Sequence, residues 1–195
     1  MPEAIALRGL VCQRAGRDLF APLDLRVEAG SLVELRGANG SGKSTLLRTL
    51  NGVHQQYRGQ FTIDPCLFQG HRLGLDELLS PLENLRFAAA LHDRQLDEDG
   101  AFAALERFGV VRYGLTRMAD LSAGQQRRVA MARWYLAALP VWLLDEPFTA
   151  LDADGQALLT QLMVEHCATG GVIVCATHMP VPIEAKTLLS LAMVA

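Results

Sequence analysis

Gly37-Ala38-Asn39-Gly40-Ser41-Gly42-Lys43-Ser44 follows a β-like run at residues 32–35 and opens a helical pattern at residues 44–50. The glycines let the backbone curl until its N–H groups converge, and the helix behind them adds the positive end of its dipole. The spacing is the Walker A pattern, GxxxxGK[ST]. It assigns a phosphate cradle to Gly37, Ala38, Asn39, Gly40, Ser41, Gly42 and Thr45. Lys43 is expected to neutralise the terminal phosphates of a nucleotide, and the Ser44 hydroxyl to ligate Mg²⁺. Strand, loop and helix in this order are the founding unit of an α/β fold. Taken alone, the loop leaves kinases, GTPases and ATPases open.

Working outward, short β-like runs fall at residues 5–11, 23–27 and 60–63, with turn signals at Ala29-Gly30 and Arg58-Gly59. The middle of the chain is different. Ser80-Pro81-Leu82-Glu83 is a capping box with proline at the first helical position, which starts a helix running to about residue 91. A second helix is expected over about 97–108, with Phe102, Leu105 and Phe108 on one face. A helical insert over about residues 74–120 therefore interrupts an α/β protein. Beyond it, helix (122–138), strand (141–144), helix (153–168) and strand (172–176) alternate, which predicts parallel strands with crossover helices.

Val141-Trp142-Leu143-Leu144-Asp145-Glu146 is an apolar run ending in two carboxylates. A parallel strand buried on both faces reads as such a run, and ligands gather at the C-terminal ends of strands in this class. With a phosphate loop upstream, Asp145 is expected to hold Mg²⁺ and Glu146 to act as general base toward the attacking water. Thr177-His178 ends the next apolar run, where His178 can hydrogen-bond a γ-phosphate or that water.

Leu121-Ser122-Ala123-Gly124-Gln125-Gln126-Arg127-Arg128 precedes a helix and lies before the acidic strand. At this point the chain resembles the ABC ATPases, whose signature is LSGGQ, with Ala123 in place of the first glycine. The resemblance covers nearly the whole chain. It implies a P-loop NTPase (RecA-like) ABC nucleotide-binding domain over residues 1–195, with an antiparallel β subdomain and the helical insert. It implies ATP and Mg²⁺ as ligands, and a homodimer through composite ATP sites, in which Ser122, Gly124 and Gln125 of one copy close on the nucleotide of the other. Thr149-Ala150-Leu151-Asp152 matches the loop that links the two sites. Two family positions depart from the common pattern. The Q-loop glutamine, counted back from Glu83-Asn84-Leu85, falls on His71, with Gln69 close by, and either could be the coupling residue. The adenine-stacking aromatic falls near Arg14, which either stacks on the base through its guanidinium or has no such role.

Within that family, the stretches around Gly70-His71, Leu82-Glu83-Asn84-Leu85, Leu121–Ala130 and Leu144–Ala150 resemble the ATP-binding subunits of bacterial cytochrome c maturation, the haem-export systems. That resemblance implies a membrane permease and other cytochrome c maturation proteins as partners. It also implies peripheral association with the cytoplasmic face of the bacterial inner membrane. Another cargo, a non-transport ABC ATPase acting on nucleic acid or ribosomes, and a P-loop kinase are the alternatives. A formal net charge of −3 argues against nucleic acid as a partner. Half of the 195 residues are hydrophobic, enough for an independent core. Met1-Pro2-Glu3-Ala4 lacks the start of a signal peptide, and the apolar stretch at 188–195 is too short to span a bilayer. The four cysteines, Cys12, Cys66, Cys167 and Cys175, stand far apart and are expected as reduced, buried thiols. His54, His71, His92, His166 and His178 form no haem-attachment motif.

Overall fold

The computed structural model describes residues 3–183 and 187–192; Met1-Pro2 and the end of the apolar stretch at 188–195 lie outside the described residues. The chain divides into two compact units. The first takes in Met1–His71, Leu139–Pro147 and Met163–Ala195, the second Arg72–Ala138 and Phe148–Leu162.

The first unit carries two sheets. The larger is parallel and built from β4 (Leu32–Arg36), β6 (Cys66–Gln69), β7 (Val141–Asp145), β8 (Val172–Ala176) and β9 (Thr187–Ser190), in the order β6-β7-β8-β4-β9. Every residue of β7 and β8 is buried. This is why both strands read as unbroken apolar runs: each is covered on two faces and has no side turned to water. The register aligns Asp145 with Ala176, and Ala176 with Leu35. Arg36, the last residue of β4, and Glu146 and Thr177, the first residues past β7 and β8, therefore lie along one edge of the sheet. β6 and β9 are not expected from the sequence. Each is only four residues long, too short for a periodic pattern to mark it.

The second sheet is antiparallel. Its long strand β1 (Glu3–Arg14) pairs with β3 (Leu23–Glu28), β5 (Tyr57–Ile63) and, at its far end, β2 (Arg17–Asp18). The helix α1 (Lys43–Leu50) joins the two sheets through one apolar cluster. Leu46, Leu47 and Leu50 of the helix are buried with Ile5, Leu7 and Leu10 of β1 and with Leu35, Leu143 and Val174 of the parallel sheet. Each such leucine contributes about 1.5–3 kcal/mol when fully buried. That burial holds the helix behind the glycine loop at a fixed height against the strand before it.

In the second unit, α2 (Pro81–Ala90), α3 (Glu98–Arg107) and α4 (Ala123–Ala137) pack on one another. Leu85, Leu105, Phe108, Met118 and Trp134 are fully buried there. The segment before α2 is tied down by Asn84, whose side chain accepts from the Asp76 N–H at 2.8 Å and donates to the Asp76 carbonyl at 3.0 Å and the Ser80 carbonyl at 3.1 Å. α4 stops where Ala138 takes a left-handed conformation, ahead of Leu139-Pro140. Arg94 donates to the orphan carbonyls of Leu136 and Ala137, both at 2.9 Å. α5 (Ala153–Ala168) has residues in both units. Among the described residues no helix is long and apolar enough to cross a membrane. The four cysteines are unbridged; Cys12 and Cys175 are buried as expected, whereas Cys66 and Cys167 are only partly buried, and desolvation pushes the Cys167 thiol up to about 11.

The capping box at α2 forms as its sequence implies. Glu83 Oε2 accepts from the Ser80 N–H at 2.7 Å and from its hydroxyl at 2.8 Å, while Ser80 Oγ accepts from the Glu83 N–H at 3.3 Å. These bonds, that from the Ser80 backbone first, hold the Glu83 carboxyl below its ordinary range. A carboxyl lowered on folding adds stability above its unfolded value and loses it as pH falls through the folded one. Ser80→Ala is expected to cost about 1 kcal/mol in urea unfolding at neutral pH, with the difference from wild type narrowing in acid.

Candidate functional site

The turn from β4 into α1 is made possible by two glycines. At Gly37, with φ of 152°, a Cβ would stand 2.5 Å from Ser41 Oγ and 2.6 Å from the Leu191 carbonyl. At Gly42, with φ of 97°, it would stand 2.8 Å from the ring of Phe20. Neither contact could be foreseen, because Leu191 and Phe20 reach the loop only through the fold. The Lys43 ammonium curls back over the loop and donates to the Gly37 carbonyl at 2.7 Å and to Ala38 at 3.1 Å. Its third N–H is left for an anion. The buried hydroxyl oxygen of Ser41 has no hydrogen-bond partner among the described residues.

Residues 39–45 line a cleft of about 280 Å³ together with Asp145, Glu146, His178, His71, Arg14 and Leu19. The carboxylates arrive there because β7 ends at Asp145, and the chain then turns sharply. Glu146 sits at φ 52°, a left-handed conformation that costs an ordinary side chain about 1 kcal/mol or more. Its own N–H is secured on the Ala176 carbonyl at 2.8 Å. Its carboxylate is held from the neighbouring strand end: the His178 N–H donates to Oε2 at 3.4 Å, and the His178 ring Nε2 stands 3.3 Å from Oε1. The Glu146 side chain is 18% exposed and that of His178 55%. The Glu146 carboxylate is thus mostly shielded from solvent beside the exposed His178 ring.

Asp145 is almost wholly buried, and its Oδ2 accepts no hydrogen bond among the described residues. Carboxylate and hydroxyl oxygens suit a hard divalent cation, and the residues present, Asp145 and Ser44 on one cleft, fit Mg²⁺. Of the two Q-loop candidates, the buried Gln69 turns its amide onto the Gly70 carbonyl at 2.9 Å, while His71 faces the cleft. The register explains the split. Gln69 pairs with Leu144 inside the sheet, so only residues past it can leave the sheet edge beside Asp145. Arg14 also lines the cleft, with Leu19 and without an aromatic ring.

The signature stretch belongs to the second unit. Ser122 caps α4, its Oγ accepting from the Gln125 N–H at 3.3 Å, while Gln125 Oε1 accepts from the Ser122 N–H at 2.8 Å. The glutamine at this place thus serves a reciprocal capping box, and the Ser122 hydroxyl proton stays free to be donated. Gly124 lies close under the Ala150 carbonyl, where a Cβ would approach to 3.3 Å. Asp152 caps α5, accepting from the Gly155 N–H at 2.7 Å, and meets Arg128 at 3.1 Å. The bond from Gly155, and then Arg128, holds its carboxyl below the ordinary range.

Residues 20–149 match the ABC transporter family, a span reaching from Phe20 beneath the loop to Thr149 beyond Glu146. The class is therefore that of the ABC-type ATPases, which bind and hydrolyse ATP. The fold agrees: a putative ABC transporter ATP-binding protein from Pyrococcus furiosus superposes with a TM-score of 0.85 over 96% of both chains, at 21% identity. Sequence relatives narrow the class. The cytochrome c biogenesis ATP-binding export protein CcmA of Pseudomonas savastanoi pv. phaseolicola is 43% identical over 190 residues, 91% of this chain and 89% of that protein. That of Vibrio cholerae is 38% identical over 187 residues, 89% of this chain and 90% of that protein. The chain belongs to the CcmA family of ABC transporter ATP-binding proteins.

Gly37→Ala sets a backbone strain of about 1–3 kcal/mol against the loop itself. Binding of a fluorescent ATP analogue, followed by titration, is expected to weaken roughly ten- to a hundredfold, the equivalent of that strain. Unchanged affinity would show that the loop does not need the shape described.

Proposed function

We propose that the chain powers haem export in cytochrome c maturation by closing a head-to-tail homodimer over two ATP molecules and reopening it on hydrolysis. The observation that carries this reading is the single cleft shared by the glycine loop, the Asp145-Glu146 strand end and His178. The relatives named as cytochrome c biogenesis export proteins support the cargo system.

In this reading the loop N–H groups of Gly37, Ala38, Asn39, Gly40, Ser41, Gly42, Lys43, Ser44 and Thr45 cradle the phosphates, and the Lys43 ammonium swings from its loop carbonyls to the β- and γ-phosphate oxygens. Ser44 and Asp145 hold Mg²⁺, which when bound neutralises phosphate charge. Glu146 takes a proton from the water that attacks the γ-phosphorus, as the bond to the ADP oxygen breaks and inorganic phosphate leaves. The contacts with His178 keep the Glu146 carboxylate aimed, and the imidazole is within reach of a γ-phosphate oxygen. Ser122, Gly124 and Gln125 of a second copy complete the site: the hydroxyl and N–H at that capped helix start donate to the γ-phosphate, and Gln125 holds the cap in shape.

The whole chain, residues 1–195, then acts as one nucleotide-binding domain, with its helical part from about residue 74 to 120 passing the motion to a membrane permease. It sits peripherally on the cytoplasmic face of the inner membrane beside the other maturation proteins. The net charge of −3 gives no footing for nucleic acid as a partner.

Glu146→Gln keeps the shape and removes the base. ATP turnover is expected to fall by about 10²–10⁴-fold, and size-exclusion chromatography with ATP should show a trapped dimer. A variant that stays monomeric in ATP and hydrolyses it at the normal rate would sink the reading.

A further inference from the structure

β4 reads Leu32-Val33-Glu34-Leu35-Arg36, an inner strand of the parallel sheet with an acid at its centre. Glu34 is 1% exposed. A carboxylate can be buried so deeply only where charge and hydrogen bonds replace the water it loses. Two groups do so here. Arg36, two residues on and therefore on the same face of the strand, donates from Nε to Oε1 at 2.6 Å. The Val181 N–H donates to Oε2 at 3.1 Å. Val181 lies three residues beyond His178, within Met179-Pro180-Val181-Pro182. Proline has no N–H, so residues 180–182 have one backbone donor between them, and it goes to Glu34. Thr177 and Val181 are buried, whereas His178, Met179 and Pro180 are exposed. The chain leaving β8 is thus a short exposed span, held by the sheet at Thr177 and by Glu34 at Val181, with the φ of Pro180 fixed between them.

We propose that Glu34 is a positioning residue for His178: by clasping the Val181 N–H it sets where the imidazole stands against Glu146 and a bound nucleotide. The proposal rests on the reading of His178 as the partner of Glu146 in ATP turnover. Arg36 supplies the charge that keeps the buried carboxylate ionised, while the acceptor oxygen is what holds Val181. The two parts separate by substitution. Glu34→Gln keeps an oxygen that accepts the N–H, and Arg36, with its side chain 43% exposed, can turn to water. Glu34→Leu fills the same buried place without an acceptor, a replacement that the core of a protein tolerates when the side chain packs well.

The test compares ATP turnover of the full chain in Glu34→Gln, Glu34→Leu, His178→Ala and the double variant Glu34→Leu/His178→Ala, with hydrogen exchange of the Val181 amide followed by nuclear magnetic resonance. Exchange is expected to be slow in the wild type and in Glu34→Gln, and about tenfold faster or more in Glu34→Leu, as the span opens locally. Turnover should fall roughly 10- to 100-fold in Glu34→Leu, the scale of misplacing a group near the reacting atoms, and stay close to wild type in Glu34→Gln. The double variant should fall no further than the slower single variant, because a residue that acts only through His178 has nothing left to position. Should Glu34→Leu not fold, Glu34→Met puts the same question with a more pliable side chain. Losses that multiply in the double variant, equal Val181 exchange in all variants, or full turnover in Glu34→Leu beside a slow His178→Ala overturn the role of Glu34 and leave that of His178 standing. Full turnover in His178→Ala overturns the reading of His178 together with the proposal.

Discussion

At Gly37 the chain leaves the parallel sheet with no room for a side chain: the Leu191 carbonyl lies on one side and Ser41 on the other. Much of the first unit serves this one tight passage. β4 brings the backbone to it, and α1 carries the backbone away with Leu46, Leu47 and Leu50 sunk into the cluster between the sheets. Because the strand before the loop and the helix after it are both anchored in that core, the loop keeps its curl without side-chain caps of its own. The same sheet delivers its chemistry by register. Asp145, Ala176 and Leu35 stand in one row, so the residues that follow them meet at one edge.

The second dependence is electrostatic. Glu146 is held in a left-handed backbone conformation, and its carboxylate is steadied by the backbone and ring of His178. A carboxylate so held needs little rearrangement to serve as the base proposed for it, and pre-organisation of this kind lowers a barrier where flexible groups do not. Asp145, one residue earlier, lies buried with an oxygen that takes no donor among the described residues. Neighbouring carboxylates thus have different surroundings, which is what the two proposed uses require.

Much of this was legible in the chain. The strand, glycine loop and helix announce one another, because phosphate binding demands glycines at fixed places and a helix behind them. Ser80-Pro81-Leu82-Glu83 announced α2 because capping is a local, four-residue affair. Other features were hidden because they are not local. β6 and β9 are too short to show a period, and they become strands through neighbours far away in sequence. Whether Gln69 or His71 faces the cleft depends on the pairing of β6 with β7, which no spacing along the chain reveals. The carbonyl of Leu191 against Gly37 is likewise a gift of the fold. The antiparallel sheet around β1 came from family resemblance more than from pattern, since its strands are irregular and bulged.

The central claim is that one ATP needs two chains. Asn39, at the loop, and Ala123, at the start of α4, are both exposed in the single chain. In a Glu146→Gln background, one preparation would carry Asn39→Cys and another Ala123→Cys, and a short bismaleimide would be added to each alone and to their mixture. A covalent dimer that forms only in the mixture, and only with ATP, is the result expected of a head-to-tail pair. A mixture that stays monomeric with ATP bound, or that cross-links equally well without ATP, would contradict it.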